Sequence, residues 1–204
     1  MMIGAIMVAK LSEKITDFFI HKQILKLEEK EVYCYCFELL IASLINLLLA
    51  LAIGFGTLHF IETIVFLFVF MVARTFAGGY HADTHLRCML IFVTVFLSFL
   101  LIVDFANYKL LNIILTIVGG IFLIFLPVAD SAENQLSKKR KKKLKIKTIL
   151  SVIIFAICSA ISCIFDENKI ALSFSYPMFI IAISIIASYI KNILKKEKNY
   201  DKKN

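Results

Sequence analysis

The sequence is poor in residues that form turns and loops, with only 2 Pro and 7 Gly among 204 residues. It is instead 60% hydrophobic with 19 Phe, and its mean hydropathy is +0.87. This apolar content exceeds that of ordinary soluble domains. Several stretches are long enough to cross a bilayer as helices, which pair their own backbone groups. The composition therefore predicts an integral membrane protein.

Several functional signatures are also missing. The chain contains no G-x4-GK[ST] motif, which argues against coupling to nucleotide hydrolysis, and no HExxH motif of zinc proteases. The N-terminus has no cleavable signal pattern, so we interpret it as mature sequence. The cysteine spacing predicts no disulfide framework. We expect no cofactor. Four of the five cysteines lie in apolar segments, where cysteine packs as a small hydrophobe: Cys34, Cys36, Cys158 and Cys163.

Positive charge is confined to short connections and the chain end. The net charge is +8, but no aromatic, base-reading surface accompanies the basic residues, so we expect no nucleic acid partner. The basic loop 137–147 and the basic tail 191–204 are predicted to be cytoplasmic by the positive-inside rule. The same rule places the N-terminus and residues 74–88 on the cytoplasmic side.

The apolar pattern predicts an all-α membrane protein with about six transmembrane helices, forming one membrane domain over residues 1–204. Residues 10–31 have charged residues opposite an apolar face, which predicts an amphipathic helix on the membrane surface. Spans one to four occupy residues 33–129, and spans five and six occupy residues 148–190. The predicted spans are 33–53, 58–76, 88–106, 110–129, 148–165 and 172–190.

One polar segment, RTFAGGYHADTHLRC over residues 74–88, interrupts this pattern near the end of the second span. Arg74, His81 and Cys88 recur every seven residues, so on a continuous helix successive residues lie about 10 Å apart. That separation is too large for a thiol to meet an imidazole. The glycine pair of the segment permits a bend or a re-entrant turn that brings His81 towards Cys88.

The residue types around Cys88 suit an activated thiol. The thiolate is the nucleophile, so a reactive cysteine needs a base or a positive charge close by. His81 can accept the thiol proton, while Arg74 and Arg87 add positive potential. Asp83 can orient the imidazole. A helix that begins near Cys88 would add its positive N-terminal dipole.

Other interpretations stay open at this point. The segment could be a solvated cytoplasmic turn without chemistry. His81, His85 and Cys88 have H-x3-H-x2-C spacing, which could supply three zinc ligands. A non-catalytic scaffold or a transporter is a further alternative, although the polar residues of the spans show no repeat along a path: Asn46, Glu62, Ser98 and Asp104.

The pattern R-x3-GG-x-H-x6-C resembles the accessory gene regulator B (AgrB) family of Gram-positive bacteria, membrane endopeptidases that process quorum-sensing peptide precursors. The pattern is formed by Arg74, Gly78, Gly79, His81 and Cys88. The resemblance covers essentially the whole chain, including the amphipathic N-terminus. It extends to LPVADSAENQLSKKRKKKLK after span four, where the family has a Pro-containing span end and a lysine-rich loop.

The resemblance implies a cysteine endopeptidase in which His81 and Cys88 are catalytic, and Arg74 and Gly78 support the site. The substrate it implies is a propeptide with an amphipathic leader, a cyclising residue and an acidic tail. Removal of the tail would yield a cyclic thiolactone or lactone. A homodimer in the bacterial cell membrane is also implied. Lysines of the basic loop matter in the family, and the nearest matches are Lys141, Lys142 and Lys143.

Overall fold

The computed structural model of the chain describes residues 2–78, 85–104, 109–127 and 137–201, and its regular elements there are all helical. A short 3-10 helix, Leu27–Glu29, precedes the second α-helix. The prediction of an all-α protein is confirmed for this part of the chain. The α-helices are α1 Met2–His21, α2 Lys30–Gly56, α3 Phe60–Ala77, α4 His85–Val103, α5 Lys109–Phe125, α6 Lys138–Ile164 and α7 Asn168–Asp201.

Each of the six predicted spans coincides with one helix, from α2 to α7. The apolar parts of α4 and α5, Met89–Val103 and Lys109–Phe125, are shorter than the other four. Six crossings therefore stay a prediction, while a multi-pass membrane protein is supported. Among the described residues, four helical segments are long and apolar enough to cross a membrane: Leu27–Gly56, Phe60–Ala77, Lys138–Ile164 and Asn168–Lys191.

The predicted amphipathic helix over residues 10–31 is wrong in its bounds, because α1 covers Met2–His21. The helix ends where Gln23 adopts a left-handed conformation with φ 56°. The amide of Ile24 then donates to the carbonyl of Phe19 at 3.1 Å, which is the long bond of a Schellman C-cap. Side-chain periodicity continues through such a turn, so the sequence pattern did not reveal it.

The basic run predicted as a loop over residues 137–147 is also different, because α6 begins at Lys138. Ser137 is the N-cap, and its side chain accepts a hydrogen bond from the amide of Arg140 at 3.4 Å. Lysine and leucine have good helix propensity, so the run continues directly into the apolar span. The basic tail is likewise helical, since α7 continues to Asp201.

The helices form two compact units. The first contains Met1–Ile53 and Ala82–Phe96, and the second contains Gly54–His81 and Leu97–Asn204. In the first unit, α1 packs against the beginning of α2. In the second unit, α3 and α5 each pack against both α6 and α7, and α6 packs against α7.

Aromatic side chains fill the core of the second unit. The rings of Phe66 on α3 and Phe99 on α4 stack with centroids 4.6 Å apart, and both side chains are fully buried. Tyr176 of α7 lies beside them, with its ring centroid 5.9 Å from that of Phe99. Its hydroxyl shares a hydrogen bond with the Ser98 hydroxyl at 2.6 Å. The buried tyrosine therefore joins α4 to α7 through a satisfied polar group.

A glycine brings α5 into close contact with α7. A Cβ atom at Gly119 would lie 2.8 Å from the backbone nitrogen of Phe179 and 2.9 Å from its Cα. At the neighbouring Gly120, an added Cβ would meet only side-chain atoms, the nearest belonging to Val152 at 3.5 Å. Gly119 is therefore the residue that permits close backbone approach, as small residues do between membrane helices.

Candidate functional site

The polar segment singled out in the sequence begins where α3 ends. Gly78 follows the helix with φ 79° and ψ −155°, a conformation essentially reserved for glycine. Its amide donates to the carbonyl of Arg74 at 3.0 Å, which closes the last turn of α3. Within the described residues α3 has no break before Ala77, so a re-entrant segment after Gly78 stays a prediction.

Arg74 lies in the last turn of α3, as the sequence predicted. Its guanidinium carbon is 5.9 Å from the ring centroid of Phe70, one helical turn earlier, and the residue is half-buried. An arginine over an aromatic face keeps its charge and its hydrogen-bond donors. The structure therefore places a cation within four residues of the glycine at which the chain leaves the helix.

The predicted catalytic pair falls largely outside the described part of the chain. Gly79, His81 and Asp83 lie outside the described residues. The backbone of Cys88 is described, and α4 begins at His85, so Cys88 lies in the first turn of that helix. The expectation of a helix beginning near Cys88 is confirmed, and a helix N-terminus favours an anion such as a thiolate. The approach of His81 to Cys88 stays a prediction.

The basic start of α6 separates the three lysines suggested by the resemblance. Lys141 is half-buried, and it lies four residues before Lys145 on the face that also carries the buried Thr148. Lys142 and Lys143 are exposed. Lys141 therefore lies on the side of α6 that packs inward, whereas Lys142 and Lys143 lie on its solvated surface.

Two further lysines contact neighbouring helices, and the sequence interpretation did not select them. Lys145 donates from Nζ to the carbonyl of Leu123 at 3.2 Å and to the carbonyl of Leu126. These carbonyls belong to the C-terminal end of α5, where a cation also meets the negative end of the helix dipole. The Nζ of Lys147 lies 5.4 Å from the ring centroid of Phe76, two residues before Gly78.

We use "Gly78 end" for the end of the second unit formed by residues 74–78, 123–126 and 137–147. Its cations contact carbonyl oxygens and aromatic rings at Arg74, Lys145 and Lys147. The spacing of four residues between Lys141 and Lys145 was not a usable signal for an inward-facing pair, because the exposed lysines of the run have the same spacing. Periodicity also does not show that α5 is the helix opposite Lys145.

We use "His59 end" for the opposite end of the second unit, where charged side chains pair: His59, Asp104, Lys109, Asp166 and Lys169. Nε2 of His59 lies 3.0 Å from Oδ1 of Asp104, and Nζ of Lys169 lies 3.3 Å from the same oxygen. Lys109 and Asp166 form a second pair at 2.5 Å. The first set joins the beginnings of α3 and α7 to the end of α4. The second pair joins the beginning of α5 to the connection between α6 and α7.

His59 and Asp104 differ in exposure. His59 is only 9% exposed, so it is a buried partner of a carboxylate. Asp104, just beyond the end of α4, is well exposed. The hydrogen bond from Lys169, together with the contact from His59, holds the pKa of Asp104 below its ordinary value. Asp104 therefore stays ionised at neutral pH.

The zinc alternative rests on His81, His85 and Cys88. Among the described residues, no group of three or more His, Cys, Asp or Glu side chains could hold a metal ion. His81 lies outside the described residues, and the side chains of His85 and Cys88 are not described either. The proposed ligand set is thus an interpretation of spacing alone.

Comparison with known proteins identifies sequence relatives, two of which cover most of the chain. The family model described as Accessory gene regulator B matches residues 12–199. An AgrB-like protein 2 of Clostridium perfringens strain 13 is 28% identical over 83% of this chain and 86% of its own length. An AgrB-like protein of strain SM101 is 27% identical over the same shares. The Accessory gene regulator protein B of Staphylococcus intermedius is 29% identical over 52% of this chain and 55% of its own. No solved structure gives a significant match.

Proposed function

The chain belongs to the accessory gene regulator B family, whose role is the processing of quorum-sensing peptides, and we propose that it is a membrane cysteine endopeptidase. Cys88 is the nucleophile and His81 is the general base and acid. The observation that carries the proposal is the helix geometry around the segment. Gly78 ends α3 in a conformation suited to glycine, and α4 begins at His85 with Cys88 in its first turn.

The covalent step follows from thiol chemistry. The Cys88 thiolate attacks the peptide carbonyl that precedes the propeptide tail, and a sulfur–carbon bond forms. His81, protonated by the thiol, donates its proton to the departing amine as the carbon–nitrogen bond breaks. The leader and central segment then remain on Cys88 as a thioester, and the acidic tail leaves.

The thioester determines the product. If a cysteine within the bound peptide attacks the acyl carbon, one thioester replaces another and a thiolactone ring is released from Cys88. An attacking serine gives a lactone instead. Both exchanges conserve atoms and need no cofactor or oxidant. Water is the competing acceptor, so a site at the membrane edge that excludes water favours cyclisation over hydrolysis.

The remaining residues of the segment support this pair. Arg74 lies near the exit of α3 and supplies positive potential that stabilises a thiolate. Asp83 orients the imidazole of His81, and Gly78 and Gly79 supply the bend that the step requires. Each of these roles is positioning, since none of the four residues transfers a proton or forms a bond.

The lysines at the start of α6 bind the acidic tail of the propeptide. Lys141, Lys142 and Lys143 lie on a helix that is 27 residues long, or about 40 Å at 1.5 Å per residue. The hydrocarbon core is only about 30 Å thick, so the basic turns extend beyond it. The resulting positive field attracts and orients an acidic segment without taking part in catalysis.

Membrane sidedness follows from the same basic segments. By the positive-inside rule, the lysine-rich start of α6 and the basic end of α7 lie in the cytoplasm of a bacterial cell. The Gly78 end is then cytoplasmic and the His59 end is external. Both chain ends are cytoplasmic, and the propeptide reaches the site from the inner leaflet. The working form is a homodimer.

The test is mass spectrometry of a cognate propeptide incubated with reconstituted protein. Wild type should release the tail and a product with the mass of the ring, and Cys88→Ser should lose tail release by at least about a thousandfold while retaining propeptide binding. Cys158→Ser is the matched control, because it removes another free thiol, within α6, and should leave cleavage unchanged.

Other outcomes separate the alternatives. Cleavage at the wild-type rate by Cys88→Ser would exclude the thiol nucleophile. Cleavage that stops on metal removal, together with equal losses in His81→Ala and His85→Ala, would favour zinc. Binding without cleavage by wild type would favour a scaffold.

A further inference from the structure

The outer surface of α1 carries an apolar stripe that the rest of the protein leaves exposed. Met7, Leu11 and Phe18 are 66%, 48% and 58% exposed. Their spacings of four and seven residues place them on one face of the helix. Ile15 and Phe19 are turned further inward and are half-buried.

Lysines border this stripe. Lys10, Lys14 and Lys22 are all exposed, and at 100° per residue they fall beside or between the three apolar side chains. The Nζ atom of Lys22 lies 5.9 Å from the ring centroid of Phe18. The exposed face of α1 therefore combines apolar side chains with three flexible cations.

The acidic residues of α1 are directed to α2 instead. The helix has two, Glu13 and Asp17, and both approach Nζ of Lys30, at 4.0 Å and 2.7 Å. A single cation on α2 thus engages the negative charge of α1. The outer face therefore keeps its positive charge. The sequence did not show that the acidic residues and the lysines of α1 lie on different faces, because the two types alternate along the chain.

The inner face of α1 is fully occupied. Ser12 and Thr16 are completely buried, and Ser12 shares a hydrogen bond with the Cys34 thiol at 3.5 Å. Phe19 stacks on Phe37 at 5.6 Å between ring centroids. These contacts join the second half of α1 to the first turns of α2, where the apolar span begins. The outer stripe therefore lies beside the level at which α2 enters the bilayer.

We propose that α1 is a lipid-binding surface helix: Met7, Leu11 and Phe18 insert among the headgroups, and Lys10, Lys14 and Lys22 bind the phosphates of anionic lipids. A helix with one apolar stripe edged by lysines is suited to the interface of an anionic membrane. Attachment to the transmembrane helix α2 holds it there. This inference does not depend on peptidase activity.

The chain contains no Trp, so one substitution provides a unique fluorescent reporter. The full-length Phe18→Trp protein is reconstituted in vesicles of phosphatidylcholine with or without phosphatidylglycerol, using lipids brominated on the acyl chains. We expect blue-shifted emission and strong bromine quenching with phosphatidylglycerol. Lys10→Gln/Lys14→Gln/Lys22→Gln should weaken the quenching severalfold, because each lysine near an anionic surface contributes roughly a fivefold factor to binding.

Matched controls isolate the charge on α1. Lys138→Gln/Lys139→Gln/Lys142→Gln removes the same charge from exposed positions of α6 and should leave the quenching unchanged. Phe19→Trp places the reporter on the inner face, where phosphatidylglycerol should have little effect. Met7→Trp is a second outer reporter, in case Phe18→Trp does not fold.

Three results would overturn the proposal. The first is water-like, unquenched emission from both outer reporters in anionic vesicles. The second is equal quenching in neutral and anionic vesicles, because lipid charge would then have no role. The third is a blue shift that requires an added amphipathic peptide or a higher protein-to-lipid ratio, which would identify a peptide or a second copy as the occupant.

Discussion

The two ends of the second unit hold their cations in different ways. At the His59 end, His59 and Lys169 share the carboxylate of Asp104, and Lys109 pairs with Asp166. At the Gly78 end, Lys145 contacts carbonyl oxygens and Lys147 lies over an aromatic ring. A carboxylate neutralises a cation, whereas a carbonyl or a ring holds the cation and leaves its charge.

This difference separates an end whose cations are paired with carboxylates from an end where lysines contact uncharged groups. Charge pairs at the His59 end tie helix ends together and cancel their own field. At the Gly78 end, the carbonyl and ring contacts of Lys145 and Lys147 leave the charge of these two lysines uncancelled. Under the proposed function, this positive charge attracts the acidic tail of the propeptide to the Gly78 end. Four predictions follow from the comparison, in order of decreasing effect.

The largest effect is expected at Gly78, the glycine at which α3 ends. Gly78→Ala forces a side chain into a backbone conformation that costs about 1–3 kcal/mol, so the chain should leave α3 in another direction. We expect propeptide cleavage to fall by about tenfold or more, measured as the rate of tail release. Gly56→Ala is the control, since an added Cβ there meets nothing within 4 Å. Equal rates for both variants would show that the Gly78 geometry is unimportant.

The packing between the two ends is tested next. Gly119→Ala should destabilise the second unit by about 1–3 kcal/mol, because the new methyl group would overlap the backbone at Phe179. Gly120→Ala should have little effect, since its Cβ makes ordinary contacts. Thermal unfolding in detergent, followed by circular dichroism, measures the difference. A larger loss for Gly120→Ala would contradict the α5–α7 contact.

The contrast in charge predicts an effect on substrate affinity. Lys141→Gln/Lys142→Gln/Lys143→Gln should raise KM for the propeptide by up to about fivefold per lysine and leave kcat nearly unchanged. Lys109→Gln/Lys169→Gln at the His59 end should change neither constant. The KM effect should disappear with a propeptide whose tail acids are replaced by amides. A uniform fall in kcat would mean that the lysines support the fold instead.

The smallest effect concerns acid stability at the His59 end. The pKa of Asp104 is lowered by Lys169 and His59, so its ionised form stabilises the fold above the unfolded pKa of about 3.9. That contribution is lost as the pH falls through the lower folded pKa. The thermal midpoint of wild type should therefore decline more steeply below about pH 4 than that of Asp104→Asn. Parallel curves would contradict the pairing.

The sequence predicted the helices better than their ends or their contacts. Long apolar runs identified all six segments from α2 to α7, since hydropathy depends on local composition. The end of α1 at the left-handed Gln23 and the helical start of α6 were missed, because a turn or a cap involves single residues. The contacts of Asp104 with His59 and Lys169 join distant parts of the chain, so no local sequence pattern predicts them.

For the candidate site, the motif identified residue types and the structure added their helical setting. The spacing of Arg74, His81 and Cys88 predicted a bend at the glycines; Gly78 ends α3 with φ 79°, and the bend itself stays a prediction. Which lysines of the run face inward could not be read from a stretch in which nearly every residue is basic. The packed face of α6 was needed to separate Lys141 and Lys145 from Lys142 and Lys143.

The central claim, a thioester on Cys88, is tested most directly by intact-protein mass spectrometry. The propeptide carries alanine in place of its cyclising residue, so the acyl group cannot leave by ring closure, and samples are quenched with acid during the first turnover. The account predicts a mass increase equal to the propeptide without its tail, removable by hydroxylamine and mapped by fragmentation to Cys88. Tail release without any adduct, or an adduct on another cysteine, would contradict it.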